Sequence, residues 1–75
     1  MKFIEMTGSE LASIVTEHDV TPENLDEASI HDGAIVRINQ QGDIEVRRAD
    51  RWDIVGGLLG NYYERIQKKL GRDWV

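Results

Sequence analysis

The residues best suited to chemistry in this sequence are two histidines, each followed by an aspartate: His18-Asp19 and His31-Asp32. Imidazole and carboxylate groups bind metals when several of them converge at defined spacings. These dipeptides match no such spacing, and no carboxylate-rich calcium loop is present. The chain has no cysteine and no G-x-S-x-G pattern around a serine. The sequence therefore predicts a protein that is not an enzyme and binds neither a metal nor a cofactor.

A second group of residues is suited to binding. If the segment from residue 50 onward forms one helix, Gly56 and Gly60 share a face on which another backbone can approach closely. Trp52 and Tyr63 flank these glycines, and exposed Trp and Tyr are common interface anchors. Trp52, Gly56, Gly60 and Tyr63 are therefore candidate partner-binding residues, for another protein or for a second copy of the chain. Close packing within the chain is an alternative use of the glycines.

Charge is distributed unevenly along the chain. Residues 1–33 contain one base and eight acids, a net charge of -7, whereas residues 34–75 contain eight bases and six acids, a net charge of +2; the two sum to -5. Residues 17–32 contain six carboxylates and no base. Such a segment favours solubility and can steer the approach of a protein partner.

A helix over 8–18, a second helix over 22–29 and a hairpin follow one another, an order that resembles part of the winged-helix family. The resemblance covers residues 8–48 and rests on the order and length of the elements. In that family the second helix enters the DNA major groove. The second helix here contains Glu23, Asp26 and Glu27 and no base, so its charge opposes phosphate contacts.

A basic patch supplies the alternative of nucleic-acid binding. Arg37, Arg47, Arg48 and Arg51 lie on and just after the predicted hairpin, and arginines in such a patch contact the phosphate backbone. Arg37 and Arg47 flank Glu45 in the hairpin register, so pairing across the strands competes with that use. We therefore favour a protein-interaction module over a nucleic-acid-binding regulator.

Length and composition limit the class of protein for both alternatives. A chain of 75 residues with 40% apolar residues is long enough for one domain, 1–75, with a small core. No apolar run approaches the roughly 18 residues of a membrane helix, and Glu5 interrupts any secretory signal. We expect a small acidic bacterial protein of the cytoplasm, with no membrane contact and the capacity to form a homodimer.

The hairpin is the best-defined local element. Placing Ile38 opposite Ile44 and Val36 opposite Val46 gathers the aliphatic side chains on one face. In this register the two strands are joined by a three-residue loop, 40–42, and its last position, Gly42, requires a left-handed backbone. Arg37 then lies opposite Glu45 on the other face.

Helix signals fill the rest of the chain. Thr7 and Glu10 fit a capping box, and Thr21 precedes Pro22 at the first helical position. A short strand over 1–6 precedes the first helix. The apolar stripe of residues 55–70 predicts a long C-terminal helix beginning after Asp50 and ending at Gly71, with Trp74 folding back onto the core. The predicted fold class is α+β: a strand, two short helices, a hairpin and a long amphipathic helix.

Overall fold

The computed structural model describes residues 1–16 and 18–75. Its elements follow in the order β1 (Phe3–Thr7), α1 (Gly8–Ile14), α2 (Pro22–Glu27), β2 (Ile35–Asn39), β3 (Asp43–Arg47), β4 (Trp52–Gly57) and α3 (Tyr62–Leu70). The strands form one antiparallel sheet in the order β1-β2-β3-β4. The α+β class is confirmed, with one more strand than the sequence predicted.

The β2–β3 hairpin has the predicted register. Val36 lies opposite Val46, Arg37 opposite Glu45 and Ile38 opposite Ile44. Gly42 has a φ of +90°, the left-handed region in which a side chain is strained. The aliphatic faces of both strands are fully buried. Turn chemistry and hydrophobic alternation therefore agree here.

Both N-terminal helices begin where predicted and end earlier. The amide of Glu10 donates to the Thr7 hydroxyl at 3.1 Å, and the Thr7 amide donates to the Glu10 carboxylate at 2.9 Å, which is the capping box. α1 ends at Ile14 and not at residue 18, because Val15 adopts an extended backbone conformation. His18, the last residue of that predicted helix, is exposed in a turn. Glu17, which belongs to both the predicted helix and the acidic segment, lies outside the described residues.

The prediction of one long C-terminal helix is wrong. Its first half is the strand β4, and α3 is short, Tyr62–Leu70. Asp50 does not cap a helix; it lies in the turn at which the Arg48 amide donates to the Arg51 carbonyl at 2.8 Å. Glycines in a helix interior cost about 1 kcal/mol each. The strand and the loop after it avoid that cost, because neither Gly56 nor Gly60 is helical.

The core lies on one face of the sheet. Ile4, Ile38 and Ile44 point into it from the strands, where they join Leu11 of α1 and Ile66 of α3 in one buried cluster. Half-buried Leu25 places α2 against the same side. Because all three helices pack on this side, the opposite face of the sheet is left open. Among the described residues, no helix has the length and apolarity needed to cross a bilayer.

The C-terminal segment folds back along β1. Phe3 and Val75 exchange two backbone hydrogen bonds, at 3.2 and 2.9 Å. Arg72 binds both carboxylate oxygens of Glu10, at 2.7 and 2.6 Å, and the carbonyl of Glu5 at 3.1 Å. The pKa of Glu10 is lowered chiefly by the hydrogen bond from Arg72. These contacts occupy the outer edge of β1, so one edge of the sheet is closed.

The hairpin lies in the middle of the sheet. β2 and β3 are the two interior strands of the sheet, each flanked by another strand. β1 and β4 pair with the two sides of the hairpin, so the strand β4, which the sequence did not predict, extends the sheet beyond it.

Candidate functional site

The open face of the sheet is the candidate functional site. Antiparallel pairing places one alternating set of side chains from all four strands on this face. We define the open face by those side chains: Phe3, Glu5, Thr7, Ile35, Arg37, Asn39, Asp43, Glu45, Arg47, Trp52 and Ile54. Two of its aliphatic side chains, Ile35 and Ile54, are 47% and 64% exposed.

A guanidinium clamped between two rings forms the centre of the open face. The guanidinium carbon of Arg37 lies 3.7 Å from the centroid of Phe3 and 4.1 Å from that of Trp52. Arg37 also donates from Nε and Nη2 to Oε1 of Glu45, at 3.0 and 2.8 Å. The Glu45 side chain is only 9% exposed. The two cation–π contacts and the charge-assisted pair hold together one side chain from each of the four strands.

The four residues predicted to bind a partner do not lie together. Trp52 belongs to the open face. Gly56 lies on the core side of β4, where a Cβ would meet Val20 Cγ1 at 3.4 Å. Gly60 is in the loop before α3 with a φ of +67° and nothing within 4 Å of an added Cβ. The shared helix face that united Gly56 and Gly60 therefore does not exist, and Gly56 serves packing within the chain.

Tyr63, the fourth of these residues, holds the C-terminal segment. Its ring stacks on Trp74 at 5.7 Å between centroids and 9° between planes. Its hydroxyl donates to Oδ1 of Asp73 at 2.8 Å, and this hydrogen bond raises the pKa of Tyr63. The backbone amide of Trp74 and the Tyr63 hydroxyl both lower the pKa of Asp73. Trp74 thus folds back as predicted, and Tyr63 is its stacking partner.

The four arginines of the alternative are divided between two sides of the sheet. Arg37 and Arg47 belong to the open face, the latter 5.7 Å from the Trp52 centroid. Arg48 instead donates to the Ala28 carbonyl at 2.8 Å and to Asp53 at 3.3 Å. Arg51 is exposed and has a 3.5 Å contact with Asp50. A single patch of four arginines is therefore not formed.

A buried ion pair lies on the other side of the molecule. Asp19, whose side chain is 1% exposed, accepts a hydrogen bond from Nη1 of Arg65 at 2.8 Å. It also accepts from the backbone amides of Thr16 and Leu59, at 3.0 and 2.7 Å. Burial raises the pKa of Asp19, but these donors outweigh it and lower the pKa to about 2.

The Arg65 guanidinium completes this cluster by donating to the backbone carbonyls of Ile14 and Leu59, at 2.7 and 2.6 Å. The end of α1 and the loop before α3 are therefore joined through one carboxylate and one guanidinium. Asp19 and Arg65 therefore hold these two segments together.

A cavity of about 430 Å³ lies between β1 and the C-terminal segment. Its two guanidiniums, Arg37 and Arg72, are already paired with Glu45 and Glu10. Within residues 1–16 and 18–75, no three His, Asp or Glu side chains converge as metal ligands, and His18 and His31 are both exposed.

The Phe3–Arg37–Trp52 arrangement was not predicted from the sequence. The register of β2 and β3 indicated the Arg37–Glu45 pair, but Phe3 and Trp52 come from strands that are distant along the chain. Residues 52–54 do alternate between apolar and charged types, which is the one signal for a strand that could have placed Trp52 beside Arg37. A comparison with known proteins found no matching family model, no similar curated protein and no similar solved structure.

Proposed function

We propose that this chain is a non-enzymatic protein-interaction module that docks through the open face of its sheet. The observation that carries the proposal is the exposure of Ile35 and Ile54 beside the clamped Arg37 and Trp52. Trp and Arg held rigidly on a surface are the residue types that dominate interface energetics, since little side-chain freedom is lost on binding. The same proposal includes action in the cytoplasm of a bacterium.

A second copy of the chain is the partner that the charges favour. The open face contains three acids and two bases, a net charge of -1, whereas the whole chain has a net charge of -5. Two open faces can therefore meet with little repulsion, while the acids of α2 lie on the other side of the sheet. Two sheets packed face to face make a sandwich about 10 Å thick.

The size of the face sets the expected strength of this association. Four strands about 4.8 Å apart and about 17 Å long present on the order of 300 Å² in projection. Two such faces sum to about 600 Å² in projection, against the roughly 1,200 Å² of accessible surface that a stable interface buries. We therefore expect a weak dimer whose population rises with concentration.

Substitution of Ile35 tests this docking surface. Ile35→Lys places an ammonium group in the apolar border of the face, where burial is costly. We expect the dimer dissociation constant to increase about ten-fold or more. Sedimentation equilibrium measures this constant, and circular dichroism checks that the fold is retained.

Leu59→Lys is the matched control. Leu59 is 60% exposed, lies in the loop before α3 outside the open face, and gains the same charge. Equal weakening by both substitutions would contradict docking through this face. A wild-type chain that stays monomeric at every concentration would contradict self-association altogether.

Nucleic-acid binding is the competing proposal, and the two functions differ in their salt dependence. Phosphate contacts weaken steeply as salt increases. Because Arg37 and Arg48 are engaged within the chain, we expect no mobility or anisotropy change for a labelled single-stranded oligonucleotide even at low salt. Binding that disappears with added salt and with Arg47→Ala would contradict the proposal above.

A further inference from the structure

The two edges of the sheet differ. The edge of β1 is occupied by the C-terminal segment through the Phe3–Val75 pair. β4 pairs with β3, and no strand of the described residues lies beyond it. An edge strand presents backbone donors and acceptors on which an extended segment can pair. The contact of Val75 with β1 shows this mode of pairing within the molecule itself.

The alternation of hydrogen-bonded pairs identifies the backbone groups of β4 that point away from β3. Arg48 and Arg51 form a hydrogen-bonded pair at the turn. Because such pairs alternate along an antiparallel ladder, the next is Val46 with Asp53. The amides and carbonyls of Trp52 and Ile54 therefore point away from β3. The side chains of both residues lie on the open face.

A β-bulge limits the length of β4 with which an added strand can pair. Glu45 lies opposite Ile54 and Ile44 opposite Gly56, so Val55 is the extra residue of β4. Bulges bend and twist an edge strand. An added strand can therefore pair fully with Trp52 and Ile54 but not beyond them.

Charges near the first residues of β4 favour an acidic segment. Arg47 makes no salt bridge with any described residue, and Arg51 has only the long, exposed contact with Asp50. The one acid of β4, Asp53, is paired with Arg48. Arg51, next to Trp52 in the chain, thus has one long, exposed contact, and Arg47 lies over the Trp52 ring from the neighbouring strand.

We propose that β4 binds an extended, acidic peptide segment of another protein as a fifth strand of the sheet. The segment pairs with the backbone of Trp52 and Ile54 and places a carboxylate near Arg51. This site uses the outward backbone of β4, whereas docking through the open face uses side chains, those of Trp52 and Ile54 among them.

The test uses a short capped peptide in which valine and threonine alternate, with a glutamate at each end. The ¹⁵N-labelled full chain is titrated with it at low salt. We expect the amide signals of Trp52 and Ile54 to shift and their hydrogen exchange to slow, while Asp53, already paired with β3, changes less. Unchanged amides of Trp52 and Ile54 up to the solubility limit of the peptide would overturn the proposal, and so would shifts confined to Ile35 and Arg37.

Two controls separate backbone pairing from charge. The same peptide with lysine in place of glutamate is expected to bind about five-fold more weakly or worse, and Arg51→Glu is expected to reverse this preference. The glutamate peptide with a central proline is expected to lose binding, since proline removes a backbone donor. Equal affinity for the acidic and basic peptides, or for the proline peptide, would overturn the proposal. Ile35→Lys leaves the edge intact and should leave peptide binding unchanged, so failure of face docking and failure of edge pairing are distinguishable.

Discussion

Asp19→Ala is expected to lower the free energy of unfolding by about 3 kcal/mol. The substitution leaves the Arg65 guanidinium, whose side chain is 20% exposed, without its carboxylate. Removal of one partner from a buried pair costs about 3–5 kcal/mol, because the other charge stays desolvated. The amides of Thr16 and Leu59 lose their acceptor as well.

Urea denaturation followed by circular dichroism measures this loss. Asp32→Ala is the control: it removes an equal charge from an exposed residue whose carboxylate accepts no hydrogen bond among the described residues. A loss for Asp19→Ala no greater than that for Asp32→Ala would show that the pair contributes nothing to stability.

The Asp19 carboxylate also makes the free energy of unfolding depend on pH. The pKa of Asp19 is lowered from 3.8 to about 2 in the folded chain. A lowered folded-state pKa stabilises the protein above pH 3.8, and this contribution is lost as the pH falls from about 4 towards 2. The difference corresponds to about 2 kcal/mol. Unfolding free energies at several pH values should show this fall in the wild type and a smaller one in Asp19→Ala.

Gly8→Ala is expected to destabilise the chain by about 2–3 kcal/mol, although Gly8 is the first residue of a helix. A Cβ at this position would lie 1.9 Å from the backbone carbonyl oxygen of His31. The Gly8 amide also donates to the Ala34 carbonyl at 2.8 Å, so the two segments cannot separate without losing that bond. Overpacking of this kind costs about 1–3 kcal/mol or more and outweighs the helix propensity of alanine.

Gly33→Ala provides the comparison for Gly8→Ala. An added Cβ at Gly33 meets nothing within 4 Å, and its φ is not in the left-handed region. We expect no loss of stability, or a gain of up to about 1 kcal/mol from the stiffer unfolded chain. Thermal unfolding of the two variants side by side distinguishes a steric requirement at Gly8 from a general intolerance of the 31–34 segment.

Local signals in this sequence predicted local structure correctly. The Thr7–Glu10 capping box, the Thr21-Pro22 helix start and the Gly42 turn each depend on residues at most a few positions apart. The register of β2 and β3 followed because one slip would expose Ile38 and Ile44 to solvent. Such features need no knowledge of the remaining chain.

The segment after residue 50 was mispredicted because a 3.6-residue apolar stripe and a short alternating strand coincide there. The apolar residues at 55, 58 and 59 fit a helix, while residues 52–54 alternate as in an edge strand. Gly56 and Gly60 suggested a helix face open to close approach. Because each glycine costs about 1 kcal/mol in a helix interior, they are evidence against the helix itself.

The candidate site could be predicted only in part for the same reason. The Arg37–Glu45 pair follows from the hairpin, whereas the clamp on Arg37 requires β1 and β4 to flank it. Trp52 was identified as a binding residue on the assumption of a helix, and the structure places it on the open face of the sheet. Contacts between residues distant along the chain decide that placement, and periodicity does not report them.

The most direct test of docking through the open face is the concentration dependence of the amide NMR spectrum of the wild-type chain. Spectra are compared from the most dilute usable sample to the most concentrated soluble one. We expect progressive shifts concentrated at Ile35, Arg37, Glu45 and the indole of Trp52, with α2 and the Trp74 indole unchanged. Spectra that do not change with concentration, or shifts centred on the helices, would contradict the account.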